Sequence, residues 1–88
     1  MKILIVSATK RKNYTLGEEI SGLLKADHEI ISLEDYSLPL FVPGGEKADE
    51  AIISELVSKF KNVDGFIFCA PEYNAGIPPI LTNAITWI

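Results

Sequence analysis

The sequence predicts an α/β protein built on a parallel sheet, and three observations carry that expectation. Short, continuous apolar runs recur at residues 2–7, 29–33 and 66–70, without the polar alternation of a sheet that faces water on one side. Between them lie two longer stretches whose apolar residues fall at helical spacing. A further helix opens after the third run. The order is strand, helix, strand, helix, strand, helix start, the pattern of parallel strands joined by right-handed crossovers.

Each element has its own local cause. Residues 2–7, with Ile3, Leu4, Ile5 and Val6, form an apolar and partly β-branched run that reads as a buried first strand. Residues 8–14 are polar and basic and read as a loop. From Thr15 the pattern turns helical: Leu16, Ile20, Leu23 and Leu24 mark one face, and Glu18, Glu19 and Lys25 the other. Thr15 is the expected N-cap, with Glu18 completing a capping box. Residues 26–28 close that helix, and residues 29–33 read as the second strand around Ile30 and Ile31. Residues 34–45 hold Tyr36, Leu38, Leu40 and Phe41, too apolar for a free linker, and predict an ordered loop over the carboxyl end of the sheet. The second helix is expected over residues 46–60 on a stripe of Ala48, Ala51, Ile52, Leu56, Val57 and Phe60. After a turn at residues 62–65 comes the third strand, ended by Pro71. Asn74 and Gly76 supply turn chemistry. Pro78 and Pro79 then open a helix, where a missing backbone N–H costs little.

Composition bounds the function. The chain has 88 residues, is 48% hydrophobic and 23% charged, and carries a net charge of −4. That balance argues for a folded domain and gives no support to nucleic-acid binding. One cysteine excludes a disulfide framework or a cysteine-ligated metal site within the chain and points to the cytoplasm. The apolar run after Lys2 is too short for a signal peptide, and no segment is long enough to span a membrane. Against the acidic background, Lys10, Arg11 and Lys12 supply three of only eight basic residues.

Those three cations lie where an anion is favoured. The stretch Ser7-Ala8-Thr9-Lys10-Arg11-Lys12-Asn13-Tyr14-Thr15 follows the first strand and leads into a helix N-terminus. Hydroxyl, amide and basic side chains at short spacing suit a phosphate. The stretch contains no glycine, so it is neither a dinucleotide-binding glycine loop nor a Walker loop. On the loop alone, a phosphate site and a solvated charge run are equally good readings. Cys69, inside an apolar strand, reads as a small buried hydrophobe. His28 has no second histidine to form a metal pair and reads as structural. Trp87 reads as core or interface, and Asn83 has no assignable role.

The last eighteen residues are the most specific part of the sequence. Pro71-Glu72-Tyr73-Asn74, then Gly76-Ile77-Pro78, then Leu81-x-Asn83-Ala84-Ile85-x-Trp87 resembles the second signature of the NAD(P)H-dependent FMN reductase family. These are flavodoxin-like flavoproteins that include quinone and azo-compound reductases. The family's first signature, Gly-Ser-x-Arg-x-x-Ser-x-Asn, aligns with residues 7–15. Lys10, Asn13 and Thr15 keep its chemistry without its identities, and Ala8 loses a hydroxyl that Ser7 or Thr9 can replace. The resemblance assigns Ser7, Thr9, Lys10, Arg11, Asn13, Tyr14 and Thr15 to the FMN phosphate and ribityl chain. It assigns Pro71, Glu72, Tyr73, Asn74 and Gly76 to the edge of the flavin ring.

The resemblance also implies the strand order second–first–third, which brings the two signature loops together at the point where the order reverses. It implies FMN and NAD(P)H as cofactors and hydride transfer through FMN to a quinone, azo compound, flavin or other small acceptor, with no protein nucleophile. A flavodoxin-like electron carrier or FMN-binding module that does not oxidise NAD(P)H is the alternative. Residues 1–88 correspond to the N-terminal portion of such a domain. The third strand, Gly65-Phe66-Ile67-Phe68-Cys69-Ala70, has no charge or internal proline to protect an edge. A C-terminal half, or a homodimer or homotetramer, is therefore expected to cover it.

Overall fold

A computed structural model describes residues 1–70 and 79–88. Three parallel strands, β1 (Lys2–Ser7), β2 (Asp27–Ser32) and β3 (Gly65–Cys69), form a sheet in the order β2-β1-β3. Helix α1 (Lys12–Leu23) links β1 to β2, and α2 (Glu50–Lys61) links β2 to β3. Helix α3 (Pro79–Trp87) follows, and a 3-10 turn, Leu33–Asp35, extends from the end of β2. The α/β architecture and the strand order are those expected from the sequence and from a flavodoxin-like domain.

Alternating side chains on β1 divide the molecule into layers. Leu4 and Val6 face one side and join Ile31, Leu33, Leu56, Leu81 and Ala84 in the main core, beneath α2 and α3. Ile5 faces the other side and meets α1. The strands are in register, with Ser7 opposite both Ser32 and Cys69 at their carboxyl ends. At the other end, the Lys2 backbone N–H donates to the Asp64 carboxylate and the Asp64 N–H to the Lys2 carbonyl, each at 2.8 Å. An ion pair between Lys59 on α2 and Glu29 on β2 ties helix to sheet, and the hydrogen bond to Glu29 raises the Lys59 pKa.

Three local expectations are corrected. Helix α1 starts at Lys12, not Thr15, and Arg11 is its N-cap with no side-chain cap. There is no capping box; the Thr15 hydroxyl lies inside the helix and donates back to the Arg11 carbonyl at 3.5 Å. The inward face of α1 also differs. Leu16 is 47% and Leu23 83% exposed, while Gly17 is buried. The reason is close approach: a Cβ on Gly17 would stand 2.7 Å from Ile30 Cδ1 and 3.2 Å from Ile5 Cγ2. A glycine therefore sets the inward face, a feature that an apolar-stripe reading passes over. Helix α2 starts at Glu50, because Asp49 caps it by accepting from the Ala51 N–H at 2.8 Å.

The connection after β2 is ordered, as expected, and Tyr36 and Leu38 pack on the core. It ends in a turn in which Gly44 has φ +75°, a conformation suited to glycine, and the Gly45 N–H donates to the Val42 carbonyl at 2.8 Å. On the β3 edge, Phe66 and Phe68 stack at 5.7 Å and remain 41% and 44% exposed. Among the described residues, β1 is the sole strand paired with β3.

Candidate functional site: the carboxyl ends of β1, β2 and β3

The parallel sheet delivers the ends of β1 and β3 side by side. The Ala8 N–H, the first beyond β1, donates to the Cys69 carbonyl at 2.9 Å. The ends of β1 and β3 therefore lie side by side, where the strand order reverses and ligands bind in open parallel sheets.

The stretch leaving β1 is shaped by its own polar groups. Ser7 is fully buried, and its hydroxyl donates to the Thr9 carbonyl at 2.6 Å, folding the chain back on itself. The Thr9 hydroxyl accepts from the Arg11 N–H at 3.4 Å. Helix α1 then begins, and the Tyr14 and Thr15 N–H groups both turn to the Arg11 carbonyl, at 3.0 and 3.2 Å. The Lys12 and Asn13 N–H groups lie in the first turn, where a helix offers no acceptor. Thr9, Lys10, Arg11, Asn13, Tyr14 and Thr15 are thus gathered around one helix N-terminus, with Asn13 to Thr15 on the first helical turn instead of in a loop.

Two acidic residues from the turn after β2 reach this stretch. Glu34 Oε1 accepts from the Lys10 backbone N–H at 2.7 Å. Asp35 pairs with the Lys10 ammonium, and that hydrogen bond holds the Lys10 pKa above its usual value. The turn is set in place by the buried Ser32, whose hydroxyl accepts from the Glu34 N–H at 3.3 Å. The Lys10 N–H is thus already taken by a carboxylate of the protein itself. The donor set around it, with backbone N–H groups, a hydroxyl and two cations, fits a phosphate.

Asn83 and Trp87, left unassigned or divided between core and interface by the sequence, form a staple. Asn83 Oδ1 accepts from the Phe41 N–H at 2.8 Å, and its Nδ2 donates to the Pro39 carbonyl at 3.0 Å. Trp87 Nε1 donates to the same carbonyl at 2.6 Å, and its ring meets Phe41 edge-on at 4.9 Å. The two side chains sit one turn apart on α3 and fasten the segment around residues 39–41 to it. A cavity of about 280 Å³ lies between residues 33–38 and α3, with Tyr36 and Leu38 on one wall and Ile80 and Ala84 on the other.

The remaining assignments are quickly placed. Cys69 is buried, and burial raises its thiol pKa. His28 is structural: its Nδ1 lies 2.8 Å from the Ala26 carbonyl, an acceptor only, so Nδ1–H donates, and Nε2 shares a 2.6 Å hydrogen bond with the Ser21 hydroxyl. Pro71, Glu72, Tyr73, Asn74 and Gly76 lie outside the described residues.

Sequence comparison identifies the family. The family model for NADPH-dependent FMN reductase matches residues 1–88. The chain is 32% identical over 90 aligned residues to NADH-dependent flavin reductase subunit 2 of Lactobacillus johnsonii, covering 99% of this chain and 48% of that protein. It is 24% identical over 90 aligned residues to the 2-hydroxy-1,4-benzoquinone reductase of a Burkholderia species, covering 99% of this chain and 49% of that protein. Similarity to the NADH:(hydroxy)cinnamate reductase subunit CrdA of Vibrio ruber is 31% over 64 residues, or 73% of this chain and 31% of that protein. The chain spans about half the length of the first two relatives. With its whole length matched, the chain belongs to the NADPH-dependent FMN reductase family, whose cofactors are FMN and NAD(P)H.

Proposed function

We propose that this chain is the FMN-phosphate-binding part of an NAD(P)H-dependent oxidoreductase that passes hydride through FMN to a small acceptor such as a quinone, an azo compound or free flavin. The observation that carries the reading is the junction of β1 and β3: a cationic, donor-rich helix N-terminus leaves one strand beside the point where the second signature leaves the other. Names of relatives that reduce flavin and benzoquinone support the acceptor class.

Bound FMN supplies the redox chemistry; the chain's own residues bind and orient it. Lys10, Arg11 and the Lys12 and Asn13 N–H groups take the phosphate. Thr9, Asn13, Tyr14 and Thr15 border the ribityl chain, and Ser7 acts through the loop, since its hydroxyl already holds the Thr9 carbonyl. Pro71, Glu72, Tyr73, Asn74 and Gly76 are assigned to the ring edge by their match to the family signature. A second copy or a C-terminal segment covers the exposed Phe66 and Phe68 in this reading. Among the described residues no helix is long and apolar enough to cross a membrane; a cytoplasmic location is part of the same proposal.

The test is reconstitution of the full-length protein with FMN, followed by steady-state NAD(P)H oxidation with a quinone acceptor. FMN binding with turnover supports the enzyme. FMN binding without NAD(P)H oxidation identifies an electron carrier. No bound flavin and no FMN-dependent rise in melting temperature would remove both.

A further inference from the structure

We propose that Glu34 is an internal anion that occupies the phosphate-binding backbone and weakens its grip on FMN, so that this residue sets how strongly the site prefers FMN over unphosphorylated flavin. The inference rests on the reading of residues 9–13 as the phosphate site and adds a control on that site.

The geometry is direct. The Glu34 carboxylate sits 2.7 Å from the Lys10 N–H, a distance usual for a charge-assisted bond to an ionised acceptor. The contact spans 24 residues and crosses from the end of β2 to the end of β1. It is built from below: β1 and β2 are in register at Ser7 and Ser32, and Ser32 takes the Glu34 N–H. Asp35, the next residue, pairs with the Lys10 ammonium. Both donors that Lys10 offers an anion, its backbone N–H and its side chain, are therefore engaged by carboxylates of the protein itself. A phosphate arriving at the Lys12 and Asn13 N–H groups meets a fixed negative charge beside it. To use the Lys10 N–H, it has to displace Glu34.

The same contact has a purely structural interpretation, in which Glu34 organises the loop for its ligand. The two interpretations separate on one substitution. In Glu34→Gln the amide oxygen still accepts from the Lys10 N–H, so the loop keeps its tie and loses only the charge. Glu34 is exposed, so the variant retains the core.

The experiment compares FMN and riboflavin dissociation constants in the flavin-stripped full-length protein and its Glu34→Gln variant, by quenching of flavin fluorescence. Removing one like charge next to the phosphate should tighten FMN by about three- to tenfold at low salt and leave riboflavin unchanged. The gain should shrink as salt rises. Unchanged or weaker FMN binding in Glu34→Gln, with wild type still preferring FMN to riboflavin, would overturn the inference and leave the phosphate site standing. Wild type and Glu34→Gln both binding FMN and riboflavin equally would overturn the phosphate site and the inference together.

Discussion

Asn83→Ala and Trp87→Phe together probe how α3 holds the segment around residues 39–41. Asn83→Ala deletes the acceptor of the Phe41 N–H and one of two donors to the Pro39 carbonyl. The Phe41 N–H is partly reachable by water, so the loss is about 1–2 kcal/mol and not the full penalty of a buried orphan. Trp87→Phe keeps an aromatic ring against Phe41 and removes only the Nε1 donor to Pro39, a loss of about 0.5–1.5 kcal/mol. In either single variant the Pro39 carbonyl keeps one donor; in the double variant it has neither side chain. The double variant should therefore be less stable than the sum of the singles by roughly 0.5–3 kcal/mol, the range for groups in one hydrogen-bond network. Urea unfolding of the full-length protein, followed by far-ultraviolet circular dichroism, measures all three. Additivity within about 0.3 kcal/mol would show that Asn83 and Trp87 act separately and that the shared carbonyl is not what joins them.

Three further predictions follow from the same geometry. Replacing Lys10 and Arg11 together with Ala should weaken FMN more than riboflavin in an equilibrium titration, because only FMN carries the phosphate; equal losses would mark the basic run as a solvated face. Gly17→Leu should destabilise by about 1–3 kcal/mol in urea titrations, since even a Cβ there falls 2.7 Å from Ile30 Cδ1; an unchanged midpoint would contradict the close approach of α1. The buried Cys69 thiol has a raised pKa, so on unfolding it deprotonates at a lower pH than it does in the fold. Its contribution thus lowers stability as pH rises above the unfolded value of about 8.5, and iodoacetamide at pH 8 should label it no faster than the protein opens; rapid stoichiometric labelling of folded protein would refute that.

What the sequence made legible, and what it did not, has a physical pattern. β1 announces itself because a strand buried on both faces needs a continuous apolar run; β3 carries the same kind of run, although Phe66 and Phe68 stay partly exposed among the described residues, and the strand order is legible through the family resemblance. Helix α2 and its inward stripe at Ile52, Leu56 and Phe60 were visible for the same reason, although its start was not, because Asp49 competes with earlier residues as a cap. Helix α1 misled: Leu16 and Leu23 suggest an inward face, but the helix is held close by Gly17, and a residue without a side chain gives no hydrophobic signal. Contacts between loops were the hardest. Lys10 with Glu34 and Asp35 joins residues more than twenty positions apart, and charge signs alone do not show which acidic residue the topology brings near. Asn83 was ambiguous because its partners are backbone groups of Pro39 and Phe41, which carry no side-chain signature.

The central claim is that FMN sits where β1 and β3 end, with its phosphate on the N-terminus of α1. Amide chemical shifts of the isotope-labelled full-length protein, recorded during an FMN titration, test it most directly. The amides of residues 9–15 should move together with those of residues 72–76, and the Lys10 amide should move least with riboflavin. Shifts confined to other parts of the chain, with the amides of residues 9–15 unmoved at saturation, would contradict it.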